Sequence, residues 1–245
     1  MKKSLFAFAL LAASSTGALQ AADLDTGIYQ LNRGAFKEAI AEFTPLVEEG
    51  YAPAQYQMAL VHINGWGVRK DAKAGYELLT KAAKQNYPDA QFELALMYAE
   101  GKIAKKDLRK AYQLTAAAAD EGLASAQFNL AVMYANGEGI TRDYVKAAKW
   151  YEKAAEQNYA LAQFNLALMY YEGKGVEKSS EKSYFWNWIA AKSGFKDAIT
   201  SRDLDERNLS AKQIQEVREK ADEKYRRIMQ QRDLKAKKAA ERAIN

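Results

Sequence analysis

Ala126-Gln127-Phe128-Asn129-Leu130-Ala131-Val132-Met133-Tyr134-Ala135-Asn136-Gly137-Glu138-Gly139 is the stretch whose reading decides the fold. Its opening dipeptide recurs at Ala54-Gln55, Ala90-Gln91 and Ala162-Gln163, with 36 residues from each copy to the next. Ala198 stands at the following step, with Ile199 in place of Gln. The rest of the stretch keeps the same register: Tyr56, Phe92, Phe128 and Phe164; Met58, Leu94, Leu130 and Leu166; His62, Tyr98, Tyr134 and Tyr170; Gly65, Gly101, Gly137 and Gly173. A period of this length, kept without insertion, is the mark of a stacked helical repeat.

Each column has a physical role. Ala, Leu and Tyr at offsets of zero, four and eight share one helical face, which defines a first helix ending at the Gly column. Gly67, Gly139 and Gly175 follow two residues later and complete a turn, while Ile103 breaks that column, so the second turn is expected to differ. Asp71, Asp107, Asp143 and Ser179 are residues that favour the N-cap, and each predicts the start of a second helix. Its apolar face in the third unit is Ala147, Trp150, Tyr151 and Ala154. Paired alanines at Ala82-Ala83, Ala118-Ala119, Ala154-Ala155 and Ala190-Ala191 allow close helix approach. Gly50, Asn86, Gly122, Asn158 and Gly194 form the stop column, and only Gly and Asn, the two residues that most readily turn left-handed, occupy it. The expected fold is all-α, an α/α solenoid of stacked antiparallel helix pairs closed by a long C-terminal helix.

The chain outside the regular register reads differently. Residues 1–21 carry a basic start, an apolar run from Leu5 to Ala13 and small residues before Ala22, the pattern of a cleaved secretory signal peptide. The run is too short to span a membrane, which takes about twenty apolar residues. Residues 22–50 form an irregular first helix pair turning at Asn32-Arg33-Gly34, and Pro45 is expected to kink or shorten its second helix. The regular units occupy residues 51–200. Residues 201–245 form a capping helix and basic tail: Ser210-Ala211-Lys212-Gln213 fits a capping box, and no Gly or Pro follows. Ile214, Val217, Ala221, Tyr225 and Ile228 form a stripe able to cover the open end of the stack. From Ser210 onward eleven Lys/Arg face six Asp/Glu, so the chain's formal charge of +5 belongs to the tail and leader rather than the nearly balanced body. Interspersed acids favour a solvated end over a basic arm for an acidic partner or anionic lipid.

Residues 126–155 resemble the Sel-one-like repeat family, a relative of the tetratricopeptide repeats, and the resemblance extends over roughly residues 35–200. It implies a solenoid that assembles other proteins, and bacterial members are often exported to the cell envelope. Cysteine-rich members have been linked to β-lactam binding. This chain has no Cys, and Ser179 with Lys182 fits Ser-x-x-Lys only at a predicted N-cap, without companion motifs.

Composition narrows the chemistry. With one His and no Cys, most nucleophilic triads, zinc sites and redox centres lack their residues. The Gly-x-Gly pairs follow helices and lack a phosphate-loop Lys. His62 sits in the Tyr column and reads as a packing variant. No cofactor, metal or nucleic acid is expected, and no enzymatic role. The expected role is that of an adaptor, periplasmic or secreted from a Gram-negative bacterium, holding a protein or extended peptide in a concave groove lined by the first helices. The partner-binding candidates are Gln57, Glu93, Asn129 and Asn165, with Glu100 and Asn136 further along the same helices. Asn side chains offer both donor and acceptor to a peptide backbone. The competing expectation is a cell-wall binding factor or hydrolase, with Glu93 and Glu100 converging in one cleft.

Overall fold

The computed structural model describes residues 23–244; the leader expected over residues 1–21 lies outside the described residues. All regular structure among them is helical, in the order α1 (Leu24–Asn32), α2 (Phe36–Glu48), α3 (Ala52–Asn64), α4 (Ala72–Lys84), α5 (Pro88–Glu100), α6 (Leu108–Asp120), α7 (Ala124–Asn136), α8 (Tyr144–Glu156), α9 (Ala160–Glu172), α10 (Ser180–Lys192), α11 (Lys196–Asp205) and α12 (Ala211–Ile244). A single 3-10 turn, Glu206–Asn208, separates the last two. The helices from α3 to α10 are all 13 residues long. From α1 to α10, each odd-numbered helix packs against the even-numbered helix that follows, and each pair stacks on the next.

Local chemistry sets the helix ends. Asp71, Asp107, Asp143 and Ser179 accept backbone N–H groups of the first turns of α4, α6, α8 and α10, satisfying donors that the helix leaves orphaned. Ser179 is thus a helix cap, which accounts for its spacing from Lys182. Asn86 and Asn158 adopt φ of 61° and 65°, alongside the positive-φ glycines of the same column. Pro45 does not shorten α2, which keeps 13 residues. Its ring leaves the Ala41 carbonyl without the helical N–H donor, and the helix still continues to Glu48.

The turn between first and second helices explains the paired glycines. A Cβ at Gly139 would lie 2.1 Å from the Leu108 carbonyl oxygen, and one at Gly175 would lie 2.2 Å from that of Tyr144. The start of the preceding even-numbered helix therefore presses on each turn. Where Ile103 replaces Gly, the turn changes as the sequence predicts. Trp66, Glu138 and Lys174 donate to Val61, Met133 and Met169 carbonyls in the other three turns, whereas Gly101 donates to Met97 without that second bond. Ile103 points outward, 42 % exposed.

The core runs along the stack. Ala54, Ala90, Ala126, Ala162 and Ala198 are fully buried, so backbones approach closely at every junction. Leu79, Leu130 and Leu166 fill the spaces between, each contributing about 2 kcal/mol from apolar burial. Tyrosines tie successive units: the Tyr76 and Tyr98 hydroxyls are 2.9 Å apart, and those of Tyr112 and Tyr134 are 3.0 Å apart. At His62 the preceding helix offers Ile40 instead of a tyrosine, and the buried Nδ1 finds no partner. His62 is indeed a packing variant, at some cost in satisfied hydrogen bonds.

α12 opens with the expected capping box: Gln213 N–H donates to Ser210 Oγ, and Ser210 N–H donates to Gln213 Oε1. It then docks along α10 instead of pairing with α11 as a further repeat helix would. Val217, Ala221 and Ile228 are buried, and the last two join the main core cluster. Arg218 donates to both Tyr184 and Glu206, Trp188 donates to Asp222, and Lys224 bonds Glu156 on α8. The apolar stripe thus covers the flank of α10 and reaches α8. Further along, Leu234 is 52 % exposed.

Candidate functional site

The residues singled out from the sequence lie on the face of α3, α5, α7 and α9 that is turned away from the core. Gln57, Glu93, Asn129 and Asn165 are half-buried, while Glu100 and Asn136 are exposed. Their chemistry is more constrained than residue type alone implies. Asn129 Nδ2 donates to the Ser125 carbonyl at 2.9 Å, and Asn165 Nδ2 donates to the Leu161 carbonyl at 2.7 Å. Each amide spends one donor on its own helix and presents its oxygen outward. Asn136 bonds Glu138 in the turn.

Glu93 and Glu100 share α5. They stand two turns apart, and Glu100 is bridged to Lys102 at 3.2 Å. Asp89 and Glu93 are held above the usual carboxylate range, chiefly by burial, and Glu93 further by the neighbouring charges of Asp89 and Glu100. Neither forms an ion pair among the described residues. Across the columns of residues 89, 93, 96 and 100, this face carries Asp89, Glu93, Glu100, Glu172 and Asp197 and no Lys or Arg.

The aromatic column and the Gln column belong to the scaffold. Phe128 stacks on Tyr159 with centroids 5.1 Å apart, and Phe164 meets Phe195 at 5.1 Å. Gln55, Gln91, Gln127 and Gln163 are buried and join the turns. Gln85 Nε2 donates to the Gly50 carbonyl and to Gln55 Oε1, and Gln157 Nε2 repeats this with Gly122 and Gln127.

One constellation was not recognised in the sequence. At the junction of α9, α10 and α11, Asp205 Oδ2 accepts from Ser183 Oγ at 2.9 Å and from Asn187 Nδ2 at 2.8 Å. All three residues are at most 3 % exposed. They border a recess of about 180 Å³ between Phe164, Leu168, Tyr171 and Leu204. Asn187 Oδ1 is buried without a partner, and burial pushes the Asp205 carboxyl upward against the opposing effect of its two hydrogen bonds. The signal lay in the columns. Stepping back by the repeat from Ser183, Asn187 and Asp205 gives Ala147, Tyr151 and Met169, then Ala111, Thr115 and Met133.

Comparison with known families places this architecture. The Sel1 repeat profile matches residues 52–87, 88–123, 124–159 and 160–194. The chain belongs to the Sel1 repeat family. Sel1 repeat proteins are in general non-catalytic scaffolds for protein–protein interaction. Among solved structures, the chain is similar to a protective antigen of uropathogenic Escherichia coli strains displaying an SLR fold, with 30% identity and a TM-score of 0.72. That match covers 82% of this chain and 45% of the antigen, so the chain spans under half of its length. It is also similar to a Sel1 repeat protein from Oxalobacter formigenes, with 27% identity, a TM-score of 0.67 and 72% of each chain covered. A comparison with curated protein sequences gives no match. The Sel1 units begin at the Ala52, Pro88, Ala124 and Ala160 helix starts, so unit boundary and helix start coincide.

Proposed function

We propose that the protein is an exported adaptor of the bacterial cell envelope that holds a protein partner, as an extended basic segment, along a concave face built from α3, α5, α7, α9 and α11. The observation that carries this reading is the charge of that face: Glu100 and Glu172 are bridged to the turn residues Lys102 and Lys174, while the half-buried carboxylates of Asp89 and Glu93 have no cation among the described residues. Partly desolvated carboxylates gain most from an opposite charge brought by a partner. The outward oxygens of Asn129 and Asn165 add acceptors for backbone N–H groups at repeat spacing. Export rests on the leader-like residues 1–21.

The test is photo-crosslinking in living cells from Asn129, Asn165 and Glu93, with fractionation of the cell and mass spectrometry of the adducts. One protein partner recovered from the envelope fraction supports the reading, provided that Glu93→Gln and added salt both weaken it. No adduct from any of the three positions, or a protein that stays in the cytoplasm, would overturn it.

A further inference from the structure

Four of the five junctions in the stack place small and apolar or near-apolar residues at three equivalent positions: Ala39, Phe43 and Val61; Gly75, Leu79 and Met97; Ala111, Thr115 and Met133; Ala147, Tyr151 and Met169. At the fifth junction the same positions are Ser183, Asn187 and Asp205. Such a replacement costs stability, because an ionised carboxylate in the interior loses its hydration and is not repaid by neutral partners alone. Among the described residues no cation repays it. Arg202 pairs with Asp203, and Arg218 pairs with Glu206. Tyr184 is bonded to Glu206 and Arg218. Among the described residues nothing donates to Asp205 Oδ1 or to Asn187 Oδ1.

The recess above the triad has a matching shape. Its walls are Phe164 and Leu168 on α9 and Leu204 on α11, and its base is polar. Leu168, Tyr171 and Leu204 are 43 %, 45 % and 47 % exposed, so the mouth is an open apolar rim. Ser201 on the rim continues the column of Gln57, Glu93, Asn129 and Asn165. The recess therefore lies on the face already assigned to the partner.

We propose that this recess receives a lysine side chain of the partner, its methylenes against Phe164, Leu168 and Leu204 and its ammonium held by Asp205 and the free oxygen of Asn187. Two acceptors at the base of an apolar-walled recess require an occupant with an apolar stem and donors at its tip. Lysine supplies four methylenes and three N–H donors on a compact charge. The inference rests on the proposed adaptor role and names the anchor of that role.

The experiment titrates the purified protein with two capped peptides, Ala-Ala-Lys-Ala-Ala and the same sequence with norleucine in place of lysine. Binding is read by isothermal titration calorimetry, and the side-chain amide resonance of Asn187 locates it in the chains that keep that residue. The lysine peptide is expected to shift that resonance and to bind at least ten-fold more tightly, with the preference lost in Asp205→Asn. A second variant, Ser183→Ala with Asn187→Tyr and Asp205→Met, rebuilds the apolar junction of the preceding unit. It is expected to melt at higher temperature and to bind neither peptide above background. Equal binding of the two peptides, or a lysine preference that survives Asp205→Asn, would overturn the proposal. Failure of the adaptor reading looks different: no crosslinks form from Asn129 or Asn165 in cells, whatever the peptides do. A partner crosslinked at those positions and indifferent to Asp205→Asn would remove the lysine recess and leave the adaptor standing.

Discussion

Glu121→Gln should stabilise the protein, although it changes only an exposed residue beside a turn. Residue 121 occupies the column of Gln85, Gln157 and Ser193. Each of those three donates to the buried Gln of its junction: Gln85 to Gln55 Oε1 at 3.0 Å, Gln157 to Gln127 Oε1 at 2.8 Å and Ser193 to Gln163 Oε1 at 3.4 Å. Gln85 and Gln157 also hold the carbonyls of Gly50 and Gly122. Glu121 stands where the donor for Gln91 belongs, and an ionised carboxylate has no hydrogen to give. Gln91 Oε1 is accordingly buried with no partner. An orphaned buried acceptor costs about 1–3 kcal/mol, and fixing a Gln side chain opposes the gain by up to ~2 kcal/mol in rotamer entropy. The expected net gain is about 1 kcal/mol, or about 2–4 °C in melting temperature for a chain of this size. Chemical denaturation with a shared m-value, and hydrogen exchange of the Ala119–Leu123 turn, would measure it. Gln157→Glu should show the reverse loss by orphaning Gln127. A variant no more stable than the parent, with a turn no better protected, would refute the idea that this column works by donating to the buried Gln.

Gly139→Ala should destabilise by about 2–4 kcal/mol, since it adds left-handed strain to a contact with the Leu108 carbonyl that cannot relax; urea denaturation reads this, and a loss below 1 kcal/mol would contradict the close approach. Asp205 has a raised carboxyl, so the fold binds its proton more tightly than the unfolded chain does; stability is highest below the ordinary carboxylate pKa of about 4 and falls as pH rises through the raised value. Asp205→Asn should therefore flatten that part of the stability–pH curve and raise stability at neutral pH, and an unchanged curve would count against the buried carboxylate. Glu206 has the opposite sign: the Tyr184 hydroxyl and Arg218 lower its carboxyl, so its contribution is present above the ordinary carboxylate range and is lost as pH falls through the lowered value. Arg218→Ala should weaken that dependence, cost about 1 kcal/mol and speed amide exchange in α12 while α3–α8 remain protected.

The repeat body was legible in detail, and the reasons are local. A helix stop needs a left-handed residue, a helix start needs an acceptor, and close helices need alanine, so Gly137, Asp143 and Ala126 announce their roles wherever the chain then goes. Ile103 could be flagged as a turn variant on the same grounds. Pro45 does not shorten α2, because packing between α1 and α3 outweighs a local signal that removes one backbone bond. The candidate site was legible as a face but not as chemistry. Asn129 and Asn165 share one column of the repeat, yet whether their amides face a partner or their own helix is decided by rotamer and backbone geometry.

The sequence by itself determined the period, the caps, the turns and the all-helical class, because each depends on residues within a turn or two of one another or on strict repetition. It also determined membership of a scaffold family through columns that any single unit displays. Three-dimensional packing decided the rest. Ser183, Asn187 and Asp205 become one polar cluster only when α10 and α11 are brought together, and Glu121 is a fault only because Gln91 lies across the junction from it. α12 carries an apolar stripe that fits an open end or a helix flank equally well. It lies along α10, where Arg218 and Asp222 meet Tyr184 and Trp188, and reaches α8, where Lys224 meets Glu156, and those partners stand at separations no local pattern encodes.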